Sequence, residues 1–276
     1  MHVHSLHSDG TCSVEEIVRL AKKKHIAVLA LTDHDTVEGI PTLLSECRKF
    51  SISPLPGVEL SAKYPVTVHI LGYRMNRMDR LEDALKRVMV HRNDRNRLIV
   101  ERFKALGLDV EMSDVEKEAR GRVIARPHFA LALVRKGVVS DTASAFSKFL
   151  GKGAPAYVPR SGYSPVECVR LIREADGLPV FAHPSLTGLS REDLKRLLSE
   201  LKSHGLWGLE CLSSHCSAED SLGFLELASE LSLSPTAGSD FHRASRPFAR
   251  RHHGPANAIP VRRRAMGQPR HCVDGR

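Results

Sequence analysis

The fold of this chain turns on the stretch Ile26-Ala27-Val28-Leu29-Ala30-Leu31-Thr32-Asp33-His34-Asp35. Its first six residues form a purely apolar run as long as any in the sequence. That run is too short to span a bilayer or to serve as a signal-peptide core, and it suits a buried strand. It stops abruptly in a hydroxyl, two carboxylates and an imidazole. A buried strand that ends in titratable groups places them at one end of a sheet, where parallel α/β folds gather their chemistry.

Similar short apolar runs recur at residues 2–3, 55–60, 66–73, 178–182, 208–212 and 234–238. Amphipathic stretches at 14–24, 40–50, 165–175, 191–204 and 218–231 separate them, and the first follows Ser13 with Glu15 and Glu16 in its opening turn, the composition of a capped helix. Strand and helix in alternation predict an α/β fold with a parallel sheet or barrel. Residues 74–154 break the rhythm, with helical patterns at 78–106, 113–119, 127–136 and 142–150 and no strand between them. The organisation is therefore read as a barrel in two parts, 1–73 and 155–242, around a helical insertion at 74–154. Residues 243–276 lose all periodicity and are expected to be a poorly ordered basic tail, or the product of a shifted reading frame.

The 276 residues include 42% hydrophobic ones, enough for a large core and incompatible with disorder of the whole chain. The net charge of +9 is unevenly placed: residues 243–276 hold nine Arg and one acid, Asp274, leaving 32 basic against 31 acidic residues in the body. Bulk charge thus says little about partners. With 5% aromatics and one Trp, a surface of stacked rings that reads single strands is disfavoured. The six cysteines (Cys12, Cys47, Cys168, Cys211, Cys216, Cys272) form no C-x-x-C pair and are read as reduced thiols, and a cytoplasmic protein without a membrane segment is expected.

The chemistry sits in six clusters at strand ends: His2-Val3-His4 followed by Ser8-Asp9-Gly10, Thr32-Asp33-His34-Asp35, Gly57-Val58-Glu59-Leu60, Val68-His69-Ile70, Phe181-Ala182-His183-Pro184, and Gly238-Ser239-Asp240-Phe241-His242. Side chains alternate along a strand, so His2 and His4 project from one face and can grip one ion. A single histidine at a strand end is usually structural. Six such clusters meeting at one end of a barrel are better explained by a multi-metal centre, because buried charge and imidazole need partners. Asp33 and Asp35 lie on the opposite strand face from His34 and are read as orienting or capping groups.

These motifs, in this order over residues 2–242, resemble the PHP-domain (polymerase and histidinol phosphatase) metallophosphoesterases. The helical insertion, Arg126-Pro127-His128-Phe129-Ala130 and the closing Asp240/His242 pair are similar to the branch that holds nucleoside 3′,5′-bisphosphate phosphatases and 5′-to-3′ exoribonucleases. The resemblance implies a distorted (β/α)7 barrel with three divalent ions. His2, His4, Glu59 and Asp240 would hold one; Glu59, His69 and His183 a second; and Asp9, His34 and His242 a third. His7 competes with Asp9 for its place. Imidazole and carboxylate without thiolate suit Mn, Fe or Zn. The chain departs from the family's pattern where Met1 stands directly ahead of His2 and Arg243 follows His242.

The expected activity is hydrolysis of nucleotide phosphoesters or short 5′-phosphorylated RNA by metal-activated water, with no side-chain nucleophile, since no G-x-S-x-G or comparable arrangement occurs. The alternative is a non-catalytic RNA-binding or regulatory module of the same fold. Arg126 and His128 are assigned to catalysis and to clamping a second phosphate, a task that suits a planar guanidinium. Arg92 and Asn96, with Arg95 near the same helical face, and His215 are further candidates for substrate contact. His25, His91 and His204 are expected at the surface without a role. No protein partner is inferred.

Overall fold

A computed structural model describes residues 1–119, 121–159 and 161–242. The expected tail at 243–276, Cys272 included, lies outside the described residues. Six strands form one sheet in sequence order: β1 (Val28–Leu31), β2 (Ser53–Ser61), β3 (His69–Tyr73), β4 (Leu178–Phe181), β5 (Gly208–Leu212) and β6 (Ser234–Ala237). Around them lie α1 (Val14–Lys23), α2 (Ile40–Phe50), α3 (Glu82–Ala105), α4 (Met112–Glu118), α5 (Arg126–Arg135), α6 (Thr142–Ala145), α7 (Pro165–Glu174), α8 (Arg191–Ser203) and α9 (Ala218–Glu230).

Local chemistry explains the starts of these helices. Ser13 accepts a hydrogen bond from the Glu16 amide while the Glu16 carboxylate accepts one from the Ser13 amide, and Ser164 with Glu167 and Ser217 with Asp220 repeat this reciprocal cap. Two expected helices are subdivided: a 3₁₀ turn at Met78–Arg80 precedes α3, and α6 passes into a π turn at Phe146–Leu150.

The sheet is not wholly parallel, as the strand–helix alternation had suggested. β1 pairs parallel with β2, and β4 with β5 and β5 with β6 do likewise, but β3 runs antiparallel to both β2 and β4. The cause is the length of the connection. Residues 62–68 between β2 and β3 are too few for the helical crossover a parallel pair requires, a dozen residues or so. Reversal places His69, the first residue of β3, at the same sheet end as the last residues of its neighbours. The predicted strand at residues 2–3 is a single bridge between Val3 and Phe241, beyond β6. Val3 also accepts a 2.9 Å hydrogen bond from the Thr32 amide, just past β1, so this short segment touches both edges of the sheet.

Three buried clusters support the site. Ile70, Phe181 and Leu209 of the sheet pack with Val169, Ile172, Leu198 and Leu227 of the covering helices. Val3 and Phe241 pack with Ile17, Val18, Leu31 and Leu43 of α1, β1 and α2. Residues 99–158 form a cluster of their own, in which Phe103 and Phe129 meet edge to face with Ile99, Val115 and Leu133 around them. Among the described residues no helix is long and apolar enough to cross a membrane.

Candidate metal centre

Glu59 is the hub of the site. Its side chain is fully buried near the end of β2, and imidazoles from four separate parts of the chain surround it. Oε2 lies 3.1 Å from His2 Nε2, His4 Nε2 and His34 Nδ1; Oε1 lies 2.9 Å from His69 Nδ1 and 3.0 Å from His183 Nε2. Asp240 forms a second focus, with Oδ1 3.3 Å from His2 Nε2 and 3.2 Å from His4 Nε2. Asp9 forms a third, 3.2 Å from His242 Nε2 and 3.8 Å from both His4 Nδ1 and His34 Nε2.

All nine expected ligands therefore come together. Their closest groupings are His2, His4, Glu59 and Asp240; His4, Asp9, His34 and His242; and His34, Glu59 and His69. The sharing differs slightly from the one the family resemblance implies, because His4 and His34 each reach two groups, while His183 stands beside Glu59 and 3.2 Å from His69 Nδ1. His7 is outside these groups, 3.7 Å from Glu38.

The donors fit divalent ions by a direct criterion. His2 Nε2, His4 Nε2, Asp9 Oδ1, His34 Nδ1, Glu59 Oε2 and Asp240 Oδ1 are buried atoms without a hydrogen-bond partner. Several lie within 3.3 Å of one another yet lack hydrogen-bond geometry, as ligand atoms aimed at a shared cation do. Left unmatched, each would carry a desolvation cost of about 1–3 kcal/mol or more. His183 and Asp240 hold φ angles of +26° and +48°, sparsely populated for residues with a Cβ and typical of positions where a site dictates the backbone.

The charge balance follows from burial and pairing. Burial disfavours the cationic form of His4, but the close carboxylates of Asp240, Glu59 and Asp9 outweigh it and push the imidazole up to about 10. His2 and His183 are likewise raised by their carboxylate neighbours against the effect of burial. His34 goes the other way, down to about 3, because burial and the nearby His4 and His69 overcome the attraction of Glu59 and Asp9. Despite burial, the surrounding imidazoles hold Glu59, Asp240 and Asp9 below the usual carboxylate range.

Two further carboxylates build the frame. Asp33 accepts hydrogen bonds from the Ser5 amide at 2.6 Å, Ser5 Oγ at 2.7 Å and Ser8 Oγ at 2.5 Å, fixing the loop that carries Asp9. Asp35 accepts from the Ser61 amide at 2.8 Å and pairs with the Arg92 guanidinium. Both thus orient the backbone on either side of His34. Glu210 was absent from the expected set. It is fully buried in β5, where it contacts His2 Nδ1 at 3.1 Å and accepts from the His183 amide at 2.8 Å. The signal was present, since a Glu inside the apolar strand Gly208–Leu212 must have a partner.

The other candidates divide. His215 Nε2 is 2.9 Å from Asp240 Oδ2, at the edge of the centre. Arg126 opens α5, half-buried, with its guanidinium 5.8 Å from the Tyr157 ring centroid, and lines a cavity of about 860 Å³. His128 Nδ1 accepts the Ala125 amide and caps the same helix. Arg92 is buried against Asp35 and Ser61, and Asn96 donates to the Ile124 carbonyl. His25, His91 and His204 are exposed. The five described cysteines are free; four are buried and Cys216 is half-buried.

A family model described as the PHP domain matches residues 1–114. The chain is 33% identical over 248 residues to a 3′,5′-nucleoside bisphosphate phosphatase of Chromobacterium violaceum, covering 88% of this chain and 86% of that protein. It is 30% identical over 247 residues to the 5′-3′ exoribonuclease Rnm of Escherichia coli, covering 88% and 84%. A solved structure described as an amidohydrolase from Chromobacterium violaceum superposes with a TM-score of 0.83 at 31% identity, over 90% of this chain and 89% of that one. Fold, ligand set and relatives together define a hydrolase of phosphoesters that works with divalent metal ions. The chain belongs to the PHP-domain family.

Proposed function

We propose that this chain hydrolyses nucleotide phosphoesters, as a 5′-to-3′ exoribonuclease on short 5′-phosphorylated RNA, a nucleoside 3′,5′-bisphosphate phosphatase, or both. The observation that carries the reading is the convergence of five imidazoles on the two oxygens of Glu59, with Asp240 and Asp9 beside them. His2, His4, Asp9, His34, Glu59, His69, His183, Asp240 and His242 would hold three ions, of Mn, Fe or Zn. When bound, such ions supply a water activated near neutral pH and neutralise the phosphoryl oxygens.

The chain's own residues orient and hold. Arg126 clamps a phosphate from the rim, and His128, by capping α5, keeps that guanidinium aimed. His215 steadies Asp240 and stands where a leaving oxygen could take a proton. Arg92 and Asn96, occupied by Asp35 and the Ile124 carbonyl, act one step back by fixing α3 and the approach to Arg126. The scaffold is read as a distorted (β/α)7 barrel with residues 2–4 as its seventh strand, split into 1–73 and 155–242 around a helical insertion at 74–154. The separate core at 99–158 favours that division. A non-catalytic RNA-binding module of this fold is disfavoured because no ligand type is missing.

The test is turnover by purified protein loaded with Mn²⁺. Release of mononucleotides from 5′-phosphorylated oligoribonucleotides supports the exonuclease, and release of inorganic phosphate from adenosine 3′,5′-bisphosphate the phosphatase. No turnover of either, with metal content verified, would sink the proposal.

A further inference from the structure

A cavity of about 860 Å³ among the described residues contains none of the nine ligands. It begins where they end: Ala62 and Lys63 follow Glu59 by three and four residues, and Thr67 precedes His69 by two. Arg95 of α3, Arg126 of α5, Lys152 and Tyr157 line the same cavity. Four basic side chains thus line a volume of about 860 Å³. Its one acid, Glu167, is turned to capping α7, accepting from the amide and hydroxyl of Ser164 at 2.7 Å.

Among the described residues, Lys63, Arg126 and Lys152 have no carboxylate within ion-pair reach. For the exposed lysines this is ordinary. For Arg126 it is not, because burial disfavours its cationic form and the face of Tyr157 lies against its guanidinium. A desolvated guanidinium without a counter-charge marks a place that an anion from outside completes. Tyr157 is itself held, its carbonyl accepting a hydrogen bond from Arg102, and Tyr64, exposed, lines the same cavity.

We infer that this cavity is a track for the phosphodiester chain beyond the scissile bond, with Lys63, Arg126 and Lys152 on successive phosphates and Tyr157 and Tyr64 offering faces to bases. This rests on the phosphoesterase reading and sharpens it: the preferred substrate is an oligonucleotide, not a single nucleoside bisphosphate. One extra phosphate needs one clamp. Several cations lining one cavity together with two aromatic rings fit a repeating phosphate-and-base ligand, the combination used to bind single strands.

Two measurements test it. In the wild type, kcat/KM rises from adenosine 3′,5′-bisphosphate to 5′-phosphorylated adenosine di-, tri- and hexaribonucleotides. Replacing both lysines (Lys63→Ala with Lys152→Ala), which are exposed and leave the core intact, lowers the hexamer value at least about tenfold more than the bisphosphate value, through KM. The second measurement is hexamer binding by metal-free protein, where no cleavage intervenes. The slope of log affinity against log salt becomes shallower by about 1.4 in the double variant, at about 0.7 for each single-strand phosphate that a lysine no longer neutralises. A flat dependence on chain length, or an equal loss for both substrates, overturns the track while leaving phosphoester hydrolysis in place. Absence of all turnover fails the underlying reading instead, and hexamer binding with an unaltered salt slope removes the lysines from any track.

Discussion

His2 Nδ1 lies 3.1 Å from Oε1 and 3.3 Å from Oε2 of Glu210, and the same carboxylate accepts the amide of His183 at 2.8 Å. One buried acid therefore sets the ring of one ligand and the backbone of another. With the proton on Nδ1 and donated to Glu210, the Nε2 lone pair of His2 faces Glu59 and Asp240, where a metal is wanted. Gly238 makes room for this, because a Cβ there would collide with Glu210 Oε1.

The expectation for Glu210→Ala is a folded protein whose affinity for Mn²⁺ or Zn²⁺ falls by roughly 10–100-fold, the range usual for loss of such a partner. Glu210→Gln keeps an acceptor for the His183 amide and should lose less. Competition with a chelator reads the affinity, and circular dichroism checks the fold. Unchanged affinity in Glu210→Ala would show that His2 needs no such support.

Arg92 and Asp35 make the second testable relationship. Their side chains are 7% and 1% exposed, so the pair is shielded from solvent on both sides. Removing the cation leaves Asp35, the neighbour of His34, charged and buried. Arg92→Ala is expected to destabilise the protein by about 3–5 kcal/mol, as for other broken buried pairs. Urea denaturation measures this directly. A loss below about 1 kcal/mol would place the pair with solvated surface bridges instead.

Much of this site was legible because metal ligands are conspicuous in sequence. One imidazole or carboxylate ending an apolar strand, as at His34, Glu59 or His183, says little alone, but six such ends on one sheet leave little freedom. What sequence could not show was pairing between distant segments. The direction of β3 depends on a connection whose length is plain but whose meaning requires knowing that it crosses no helix. Arg92 reads as a phosphate ligand on a basic helix until Asp35 is seen against it. Glu210 was legible in principle, as a charge inside a strand, and became interpretable only with His2 beside it.

The segment at Gly121 also meets the loop that carries Asp9 through backbone hydrogen bonds, which no side-chain pattern records. The Arg122 amide donates to the Leu6 carbonyl and the Val123 amide to the Ser8 carbonyl, each at 3.0 Å. Gly121 permits the approach, since a Cβ there would collide with the Ser8 carbonyl oxygen. Gly121→Ala must push the segment away from the loop that carries Asp9. A stability loss of about 1–3 kcal/mol, typical of overpacking, is expected. Metal analysis should show a fractional loss of bound ion, at the group formed by Asp9, His34 and His242. Full metal content with unchanged stability would mean that the contact is easily relaxed.

The last prediction concerns protons. In the metal-free protein His4 is held up to about 10 and is protonated at neutral pH, its carboxylate neighbours raise His2 and His183 as well, and His34, pushed down to about 3, is already neutral. A proton and a metal cannot share one nitrogen lone pair, so loading the site at pH 7 must expel protons. Metal affinity is then expected to rise with pH, and calorimetric titrations in buffers of different ionisation enthalpy should reveal net proton release. The metal-free fold behaves in the opposite sense. A histidine raised from its unfolded value of about 6.5 contributes stability that is complete below that pH and is lost as pH climbs through the folded value. Thermal unfolding of the metal-free protein should therefore shift to lower temperature between about pH 6.5 and 10, and the metal-loaded protein should not follow it. Binding without proton release at pH 7 would overturn the charge assignment at His4.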